Sequence, residues 1–273
     1  MTDRWANRDY LRGTQYKTDT NLAARQSIYA YQQPRIDLAA RVLDLAAPGP
    51  SGTVVDVGCG NGTYLAELAR RGFRGRVLGV DLSFGMLAGA RQRLPATPAL
   101  VASAPAGPTP VALANADAAA LPLREGAADL AFAMHMLYHV PDPAEALREL
   151  RRVTRPGGQV VIVLNGAGHL RELRAAVAAA RGDDFRAMGE RITLDDGESL
   201  AKTFFPRVTR HEFVAELRVP AFGPIADYVR SMSGTSHHAN PERLVETVMA
   251  TFPKTSDGHY AIATHTGCLI CES

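Results

Sequence analysis

The fold of this chain is decided by the stretch Thr53-Val54-Val55-Asp56-Val57-Gly58-Cys59-Gly60-Asn61-Gly62-Thr63. Its β-branched run is typical of a strand that is buried on both faces of a parallel sheet. Gly58 and Gly60 then permit a tight turn and a close approach of the main chain to a ligand. An apolar pattern with helical spacing follows from Tyr64 to Leu68. We therefore predict a ligand site at the carboxyl end of a strand, beside the start of a helix.

The glycine spacing of this turn disfavours two common nucleotide sites. A dinucleotide fingerprint needs G-x-G-x-x-G, but Thr63 stands where the third glycine belongs. A P-loop needs a lysine after its last glycine, and none follows Gly62. The carboxylate of Asp56, at the strand end, would repel a pyrophosphate and suits a ligand with a cationic end. A turn that binds no ligand is the alternative.

The composition of the 273 residues is ordinary for a soluble globular protein, with 46% hydrophobic and 21% charged residues. Its 30 basic and 28 acidic residues give a net charge of +2, which offers no electrostatic case for nucleic acid or an anionic membrane. The N-terminus lacks the apolar core of a signal peptide, and no window approaches the ~18 apolar residues of a membrane span. The three cysteines form no disulfide framework, so we expect a reducing, cytoplasmic setting.

Strand and helix patterns alternate over residues 53–165, as in an α/β fold with a parallel sheet. Asp81 ends the second predicted strand of this region. An acidic residue in this place commonly accepts hydrogen bonds from a ribose diol in nucleotide-binding folds. Capping of the next helix is the alternative role, although Ser83 lies closer to that helix start.

Four segments resemble class I S-adenosylmethionine-dependent methyltransferases, in particular small-molecule enzymes of the type 11-like group. The run Val55-Asp-Val-Gly-Cys-Gly-Asn-Gly62 is similar to the first motif of that family, and residues 115–123 and 150–162 resemble two later ones. The resemblance implies a Rossmann-like α/β fold whose seven-stranded sheet is mostly parallel, with the last strand antiparallel. It also implies S-adenosylmethionine as the cofactor, and the ammonium and sulfonium of that ligand agree with an acidic Asp56.

The resemblance also implies the cofactor-binding residues. Asp81 would hold the ribose hydroxyls, and Asp117 would accept a hydrogen bond from the adenine amino group, with Ala118 supplying a backbone amide. Tyr16 and Arg25 are N-terminal side chains able to reach a polar ligand, with a surface role as the alternative. The complete predicted set is Tyr16, Arg25, Asp56, Gly58, Cys59, Gly60, Asp81, Leu82, Met86, Asp117, Ala118 and Met134.

His135 and His139 follow the fourth predicted strand and are the catalytic candidates. Their loop, 134–142, is similar to the H-x-x-x-H-V-x-D segment that this family places over the donor methyl. A neutral imidazole titrates near working pH and can act as a general base. Metal binding by the pair would need further ligands, so no metal is predicted. Simple packing against the cofactor is the other alternative, and we favour it for His139.

The predicted domain division is a helical N-terminal cap over residues 1–48 and a methyltransferase domain over residues 49–273. Pro34 divides the cap into two helices because proline cannot continue a hydrogen-bonded turn. The resemblance favours helices that cover the cofactor. The alternative is a helical pair packed on the edge of the sheet.

Residues 166–206 are predicted to form a helical lid over the acceptor pocket. The candidate lining residues of this lid are Phe185, Met188 and Ile192. Within it, Asp195-Asp-Gly197 is predicted to turn, with a short helix following from Ser199 to Phe205.

The predicted reaction is methyl transfer from S-adenosylmethionine to O, N or C of a small-molecule acceptor, by direct displacement at the sulfonium methyl. Natural-product metabolism is the expected setting. The expected partner is a small-molecule acceptor, and neither nucleic acid nor a membrane is expected. The expected oligomeric state is a monomer or homodimer. An RNA or protein methyltransferase and a non-catalytic ligand-binding module are the alternatives. A nicotinamide oxidoreductase is disfavoured by Thr63.

Overall fold

The computed structural model describes residues 6–94, 111–182, 191–232 and 240–273. Its strands are β1 Gln32–Gln33, β2 Thr53–Val57, β3 Arg76–Asp81, β4 Val111–Asn115, β5 Ala128–Met134, β6 Thr154–Asn165, β7 Arg207–Val219 and β8 Tyr260–Glu272. Its α-helices are α1 Arg8–Tyr10, α2 Thr20–Ser27, α3 Leu38–Ala46, α4 Thr63–Arg70, α5 Phe84–Arg93, α6 Pro143–Val153, α7 Arg171–Arg181, α8 Leu194–Ala201, α9 Gly223–Ser231 and α10 Pro241–Thr251. Shorter helical turns are a π-helix at Leu11–Gln15 and 3-10 segments at Ile28–Tyr31 and Leu137–His139.

One sheet carries the strands in the order β1-β7-β8-β6-β5-β2-β3-β4. Strand β2 runs parallel to β3 and β5, while β8 runs antiparallel to both β6 and β7. This confirms the mostly parallel sheet with an antiparallel last strand. The strand count differs, because Gln32 and Gln33 add an eighth strand by pairing with Leu217 and Glu216 of β7. Two residues are too few to leave a strand pattern in the sequence.

Successive side chains of each strand point to opposite faces of the sheet, and each face packs into its own core. On one face, α6 and α8 cover a core that contains Leu147, Leu150 and Ile162. On the other face, α3 and α4 cover a core that contains Leu65 and Phe132. A third core joins α7, α9 and α10 to Ile28 and to the ends of β7 and β8. The parallel strands are thus enclosed on both faces, as their continuous apolar runs predict.

The first helices divide at Pro34, as predicted. Asp37 caps α3 by accepting a hydrogen bond from the backbone N–H of Ala40 at 3.0 Å. Helix α3 then packs on the sheet beside α4, whereas α2 packs against α9. The assignment of residues 1–48 as a cap stays a prediction.

The described parts of the predicted lid pack on the sheet and on other helices. Helix α7 belongs to the third core, and α8 covers the same face as α6. Ile192 is buried in that face and does not line the central cavity. Phe185 and Met188 lie outside the described residues. The lid over the acceptor pocket therefore stays a prediction.

The predicted turn at Asp195–Gly197 is wrong, because α8 runs through it. The Thr193 hydroxyl accepts a hydrogen bond from the Asp196 N–H, and the Asp196 carboxylate accepts one from the Thr193 N–H at 2.9 Å. This capping box starts α8 at Leu194, so both Asp195 and Asp196 lie inside the helix. Gly197 lies where the helix meets β6, and a Cβ there would lie 2.1 Å from Leu164 Cδ1. The glycine serves close packing and not a turn.

No helix within the described residues combines the length and the apolar character needed to cross a bilayer.

Gly197→Ala should destabilise the protein even though alanine favours helices. Because the contact with Leu164 would be only 2.1 Å, the overpacking cost lies at the upper end of its usual range, about 3 kcal/mol, and exceeds the gain in helix propensity of about 1 kcal/mol. Urea unfolding measures the difference. Gly223→Ala is the matched control, because a Cβ at Gly223 has no neighbour within 4 Å. Equal stability of Gly197→Ala and wild type would contradict the packing account.

Candidate functional site

A cavity of about 560 Å³ lies at the carboxyl ends of β2, β3 and β5, in the size range of small-molecule sites. Helix α2 and the turns before it form another part of its wall. The structure brings all the predicted site residues to this cavity: Tyr16, Arg25, Asp56, Gly58, Cys59, Gly60, Asp81, Leu82, Met86, Asp117, Ala118, Met134, His135 and His139. Their individual roles stay predictions.

The glycine turn between β2 and α4 brings bare main chain to the cavity wall. Gly58 has φ +71° and Gly60 has φ +54°, in the left-handed region that glycine tolerates. The backbone N–H groups of Gly58 and Cys59 both donate to the carbonyl of Val80, at 2.7 and 3.0 Å. A Cβ on Gly58 would lie 2.6 Å from Met136 Cβ. Strain and crowding together require glycine at position 58.

Asp81 is held in place by the backbone around it. One carboxylate oxygen accepts a hydrogen bond from the Gly60 N–H at 2.9 Å, and the other accepts one from the Ser83 N–H at 2.8 Å. Burial raises the pKa of Asp81, and these two hydrogen bonds oppose that rise. Ser83 caps α5 as predicted, so the side chain of Asp81 is not needed for that role.

Asp56 is a fully buried carboxyl group without a hydrogen-bond partner among the described residues. Its side chain is 0% exposed, and neither carboxylate oxygen has a partner. Burial, followed by the charge of Asp81, raises the pKa of Asp56 to about 8. Unpartnered buried carboxyls are rare because the desolvation cost is high. A cationic group bound beside Asp56 would offset that cost.

Asp117 lies in the loop after β4, at the cavity wall. Its carboxylate accepts a hydrogen bond from the Ala119 N–H at 2.9 Å and forms an ion pair with Arg8. This hydrogen bond is that of a turn-forming aspartate, and the place of Asp117 in the cavity wall is also compatible with ligand binding. Arg8 was not predicted, since it lies far from Asp117 in the chain.

Arg25 is a buried guanidinium in the cavity wall, with 7% of its surface exposed. It donates to the Tyr16 hydroxyl at 3.1 Å, and the same hydroxyl lies 2.8 Å from His139 Nε2. Within the described ranges, no carboxylate pairs with Arg25. Its charge therefore lies at the cavity wall without an acidic partner among the residues that the structure describes.

His135 begins the turn after β5 in a left-handed backbone conformation, with φ +54°. Its N–H donates to the Val163 carbonyl at 2.9 Å, which continues the pairing of β5 with β6. A non-glycine residue in this conformation is strained, and such strain often marks a functional site. Burial lowers the pKa of His135 to about 4, so its imidazole is neutral at physiological pH.

Sequence reasoning did not identify a second group of cavity residues, namely Tyr29, Tyr138, His169 and Tyr228. Burial raises the pKa of each of these tyrosines above its usual value. The residues come from four separate segments, and only the tertiary fold brings them together. No local spacing in the sequence connects them.

Comparison with known proteins agrees with this geometry. A family model described as a methyltransferase domain matches residues 55–162. A malonyl-(acyl-carrier protein) O-methyltransferase of Serratia marcescens is 31% identical over 206 residues, which are 72% of this chain and 69% of the relative. A trans-aconitate 2-methyltransferase of Azoarcus sp. is 41% identical over 131 residues, which are 46% of this chain and 42% of the relative. The solved structure of Haemonchus contortus phosphoethanolamine N-methyltransferase 2 with S-adenosyl-L-methionine has a TM-score of 0.58 and 22% identity, and the match covers 100% of this chain and 60% of that chain.

The chain belongs to the class I S-adenosylmethionine-dependent methyltransferases. S-adenosylmethionine is accordingly its methyl donor. The matched region contains the glycine turn and the strand ends that form the cavity.

Asp56 should make folding stability depend on pH. An unfolded aspartate loses its proton near pH ~3.9, whereas native Asp56 retains it up to about pH 8. The native state therefore binds the extra proton between these values, and stability falls as pH rises, by at most about 1.4 kcal/mol per unit. Urea unfolding of wild type and Asp56→Asn between pH 5 and 8 tests this. The wild-type stability minus that of the variant should decrease with pH, and a constant difference would contradict the raised pKa.

Proposed function

We propose that this enzyme transfers the methyl group of S-adenosylmethionine to a small-molecule acceptor held in the same cavity. The observation that carries the proposal is the unpartnered buried carboxyl of Asp56 beside the glycine turn. A ligand with a cationic end fits this position, because its charge would meet an acid that has no other partner.

The residues around the turn fit the remaining parts of the cofactor. Asp56 would hold its ammonium group, and Asp81 would accept hydrogen bonds from its ribose hydroxyls. Asp117 and the backbone of Ala118 would contact the adenine. Arg25, with Tyr16, would bind the carboxylate on the same α-carbon as that ammonium, since a guanidinium that no described carboxylate pairs with suits that anion. The bound cofactor supplies an activated methyl group on a sulfonium.

Cys59, Leu82, Met86 and Met134 supply apolar parts of the same wall. Apolar walls with a few fixed polar groups are typical of cofactor sites, because the apolar area supplies affinity and the polar groups set orientation.

The two predicted catalytic histidines differ in what they can do. His139 Nε2 is engaged by the Tyr16 hydroxyl, which suits a role in fixing Tyr16 and the N-terminal segment. The ring of His135 has no hydrogen-bond partner among the described residues, and its low pKa keeps it neutral. His135 is therefore the better candidate to accept a proton from an acceptor that needs to lose one. Most of the rate enhancement would come from alignment of the reacting groups.

A small acceptor is supported by the size of the cavity. The N-terminal turns and α2 contribute side chains to its wall beside the strand ends. The names of two relatives specify a malonyl-(acyl-carrier protein) and trans-aconitate, both bearing carboxylates. This supports an acid or another oxygen-bearing small molecule here. Natural-product metabolism stays a prediction.

Calorimetry with S-adenosylmethionine and S-adenosylhomocysteine tests the cofactor assignment. Wild type should bind both near micromolar affinity, and Asp81→Ala should lose about 2 kcal/mol, or roughly 30-fold, because it lacks the diol acceptor. Asp44→Ala is the matched control, since Asp44 pairs with Arg71 outside the cavity. Absence of binding by folded wild type would contradict the proposal.

Transfer of tritiated methyl to small acids, phenols and amines, with RNA and protein as competing acceptors, then separates the functional classes. Salt-sensitive labelling of RNA would favour the RNA methyltransferase alternative. Cofactor binding without labelling of any acceptor would favour the non-catalytic module.

A further inference from the structure

Tyr29 and His169 form a hydrogen-bonded pair in the cavity wall that the predicted site did not include. The Tyr29 hydroxyl lies 3.0 Å from His169 Nε2, and the two rings stack with an interplanar angle of 19°. His169 is 5% exposed and lies just before α7. Its other ring nitrogen, Nδ1, accepts a hydrogen bond from the backbone N–H of His265 at 3.1 Å. Two separate elements, the 3-10 segment Ile28–Tyr31 and β8, thus contact the two ring nitrogens.

The contact with His265 determines which nitrogen of His169 carries the proton. A backbone N–H can only donate, so Nδ1 must present its lone pair. The proton of the neutral ring is then on Nε2, which donates to the Tyr29 oxygen. Burial lowers the pKa of His169 to about 3, so this neutral form persists at physiological pH.

Because Tyr29 accepts from His169, its own hydroxyl proton must be donated elsewhere. Within the described residues, His169 is the hydrogen-bond partner of the Tyr29 hydroxyl, and no group accepts that proton. Burial raises the pKa of Tyr29 well above its usual value, so the phenol remains a donor. Tyr29 lines the cavity. A molecule bound in the cavity is placed to accept this hydrogen bond.

The charges around Tyr29 disfavour a cationic ligand at this end of the cavity. The groups that shift the pKa values of Tyr29, Tyr138 and Tyr228 are one another, Tyr16 and the guanidinium groups of Arg25 and Arg174. No carboxylate of the described chain is among them. Near the glycine turn, by contrast, Asp81 raises the pKa of Asp56, and both acids raise the pKa of Cys59. The cavity is therefore acidic at one end and donor-rich at the other.

We propose that Tyr29 donates the hydrogen bond that positions the methyl acceptor. His169 is a positioning residue: because its Nε2–H donates to the Tyr29 oxygen, the hydroxyl proton of Tyr29 is left to donate into the cavity. The acceptor class follows from this arrangement. The bound molecule presents an oxygen that accepts a hydrogen bond, such as a carboxylate, carbonyl or phenol oxygen, and not an ammonium group. This inference rests on the proposed function for the identity of the ligand, but the arrangement of His169 and Tyr29 is independent of it.

The first test measures the proton position on His169 without any ligand. Protein labelled with ¹⁵N in its histidine rings is examined by long-range ¹H–¹⁵N correlation NMR, with His169→Gln used for assignment. His169 should show a protonated Nε2 and an unprotonated Nδ1 between pH 5.5 and 8, in wild type and in Tyr29→Phe. A protonated Nδ1, or a titration within that range, would overturn the proposal.

The second test measures the acceptor class with three probes that share a scaffold: 3-phenylpropionate, 3-phenylpropan-1-ol and 3-phenylpropylamine. Ligand-observed NMR follows their binding to the S-adenosylhomocysteine complex. The carboxylate should bind best, and Tyr29→Phe should weaken it about tenfold, since a hydrogen bond to a charged group contributes about 1.5–3 kcal/mol. A preference for the amine would overturn the proposal. So would equal binding of the carboxylate by wild type and Tyr29→Phe, or no binding of it by either protein.

Variants of His169 separate positioning from structural support. His169→Gln places an amide N–H within reach of the Tyr29 oxygen, whereas His169→Leu cannot donate. The Gln variant should keep carboxylate binding within about threefold of wild type, and the Leu variant should match Tyr29→Phe. Equal losses in both variants, at equal thermal stability, would contradict a positioning role.

The two proposals fail in different ways. If the proposed function is wrong, calorimetry detects no cofactor binding, while the proton position on His169 is unaffected. If only the Tyr29 inference is wrong, the cofactor binds normally and the probe preference or the histidine tautomer differs from that expected.

Discussion

The parallel pairing of β2 with β3 brings two buried carboxyl groups, Asp56 and Asp81, to the same end of the sheet beside the glycine turn, where the charge of Asp81 raises the pKa of Asp56. Asp56 lies within β2 opposite Gly79, and Asp81 ends β3. Gly79 leaves room for close packing, because a Cβ there would lie 2.7 Å from Leu65 Cδ1. Two backbone N–H groups stabilise Asp81, whereas Asp56 has no such support. The native protein therefore keeps Asp56 protonated at neutral pH, and a bound cation would favour its ionised form.

The remainder of the cavity has the opposite character. Arg25 is buried, no carboxylate of the described residues pairs with it, and Tyr16, Tyr138 and Tyr228 lie near enough to shift its pKa. A ligand with an ammonium and a carboxylate a few bonds apart matches this polarity, and the family relationship supplies the identity of that ligand. The donor-rich end beyond it is the part of the cavity in which members of one family can differ, because side chains from separate helices form it.

The cofactor half of this site could be predicted from the sequence, because its residues lie at strand ends in fixed motifs. Gly58, Asp81 and the helix cap at Ser83 all follow from local spacing, and the structure places them together. The other half could not be predicted. Tyr29, His169 and Tyr228 meet only through packing of separate helices. The helix at Gly197 was also missed, because an Asp-Asp-Gly sequence favours a turn until the packing against Leu164 is known.

A crystal structure of the complex with S-adenosylhomocysteine tests most directly whether Asp56 and Asp81 bind the cofactor. We expect the amino group of the ligand within hydrogen-bond distance of Asp56, and the ribose hydroxyls within that distance of Asp81. A ligand bound elsewhere, or bound with Asp56 still unpartnered, would contradict the claim that this buried carboxyl is the determinant of the cofactor site.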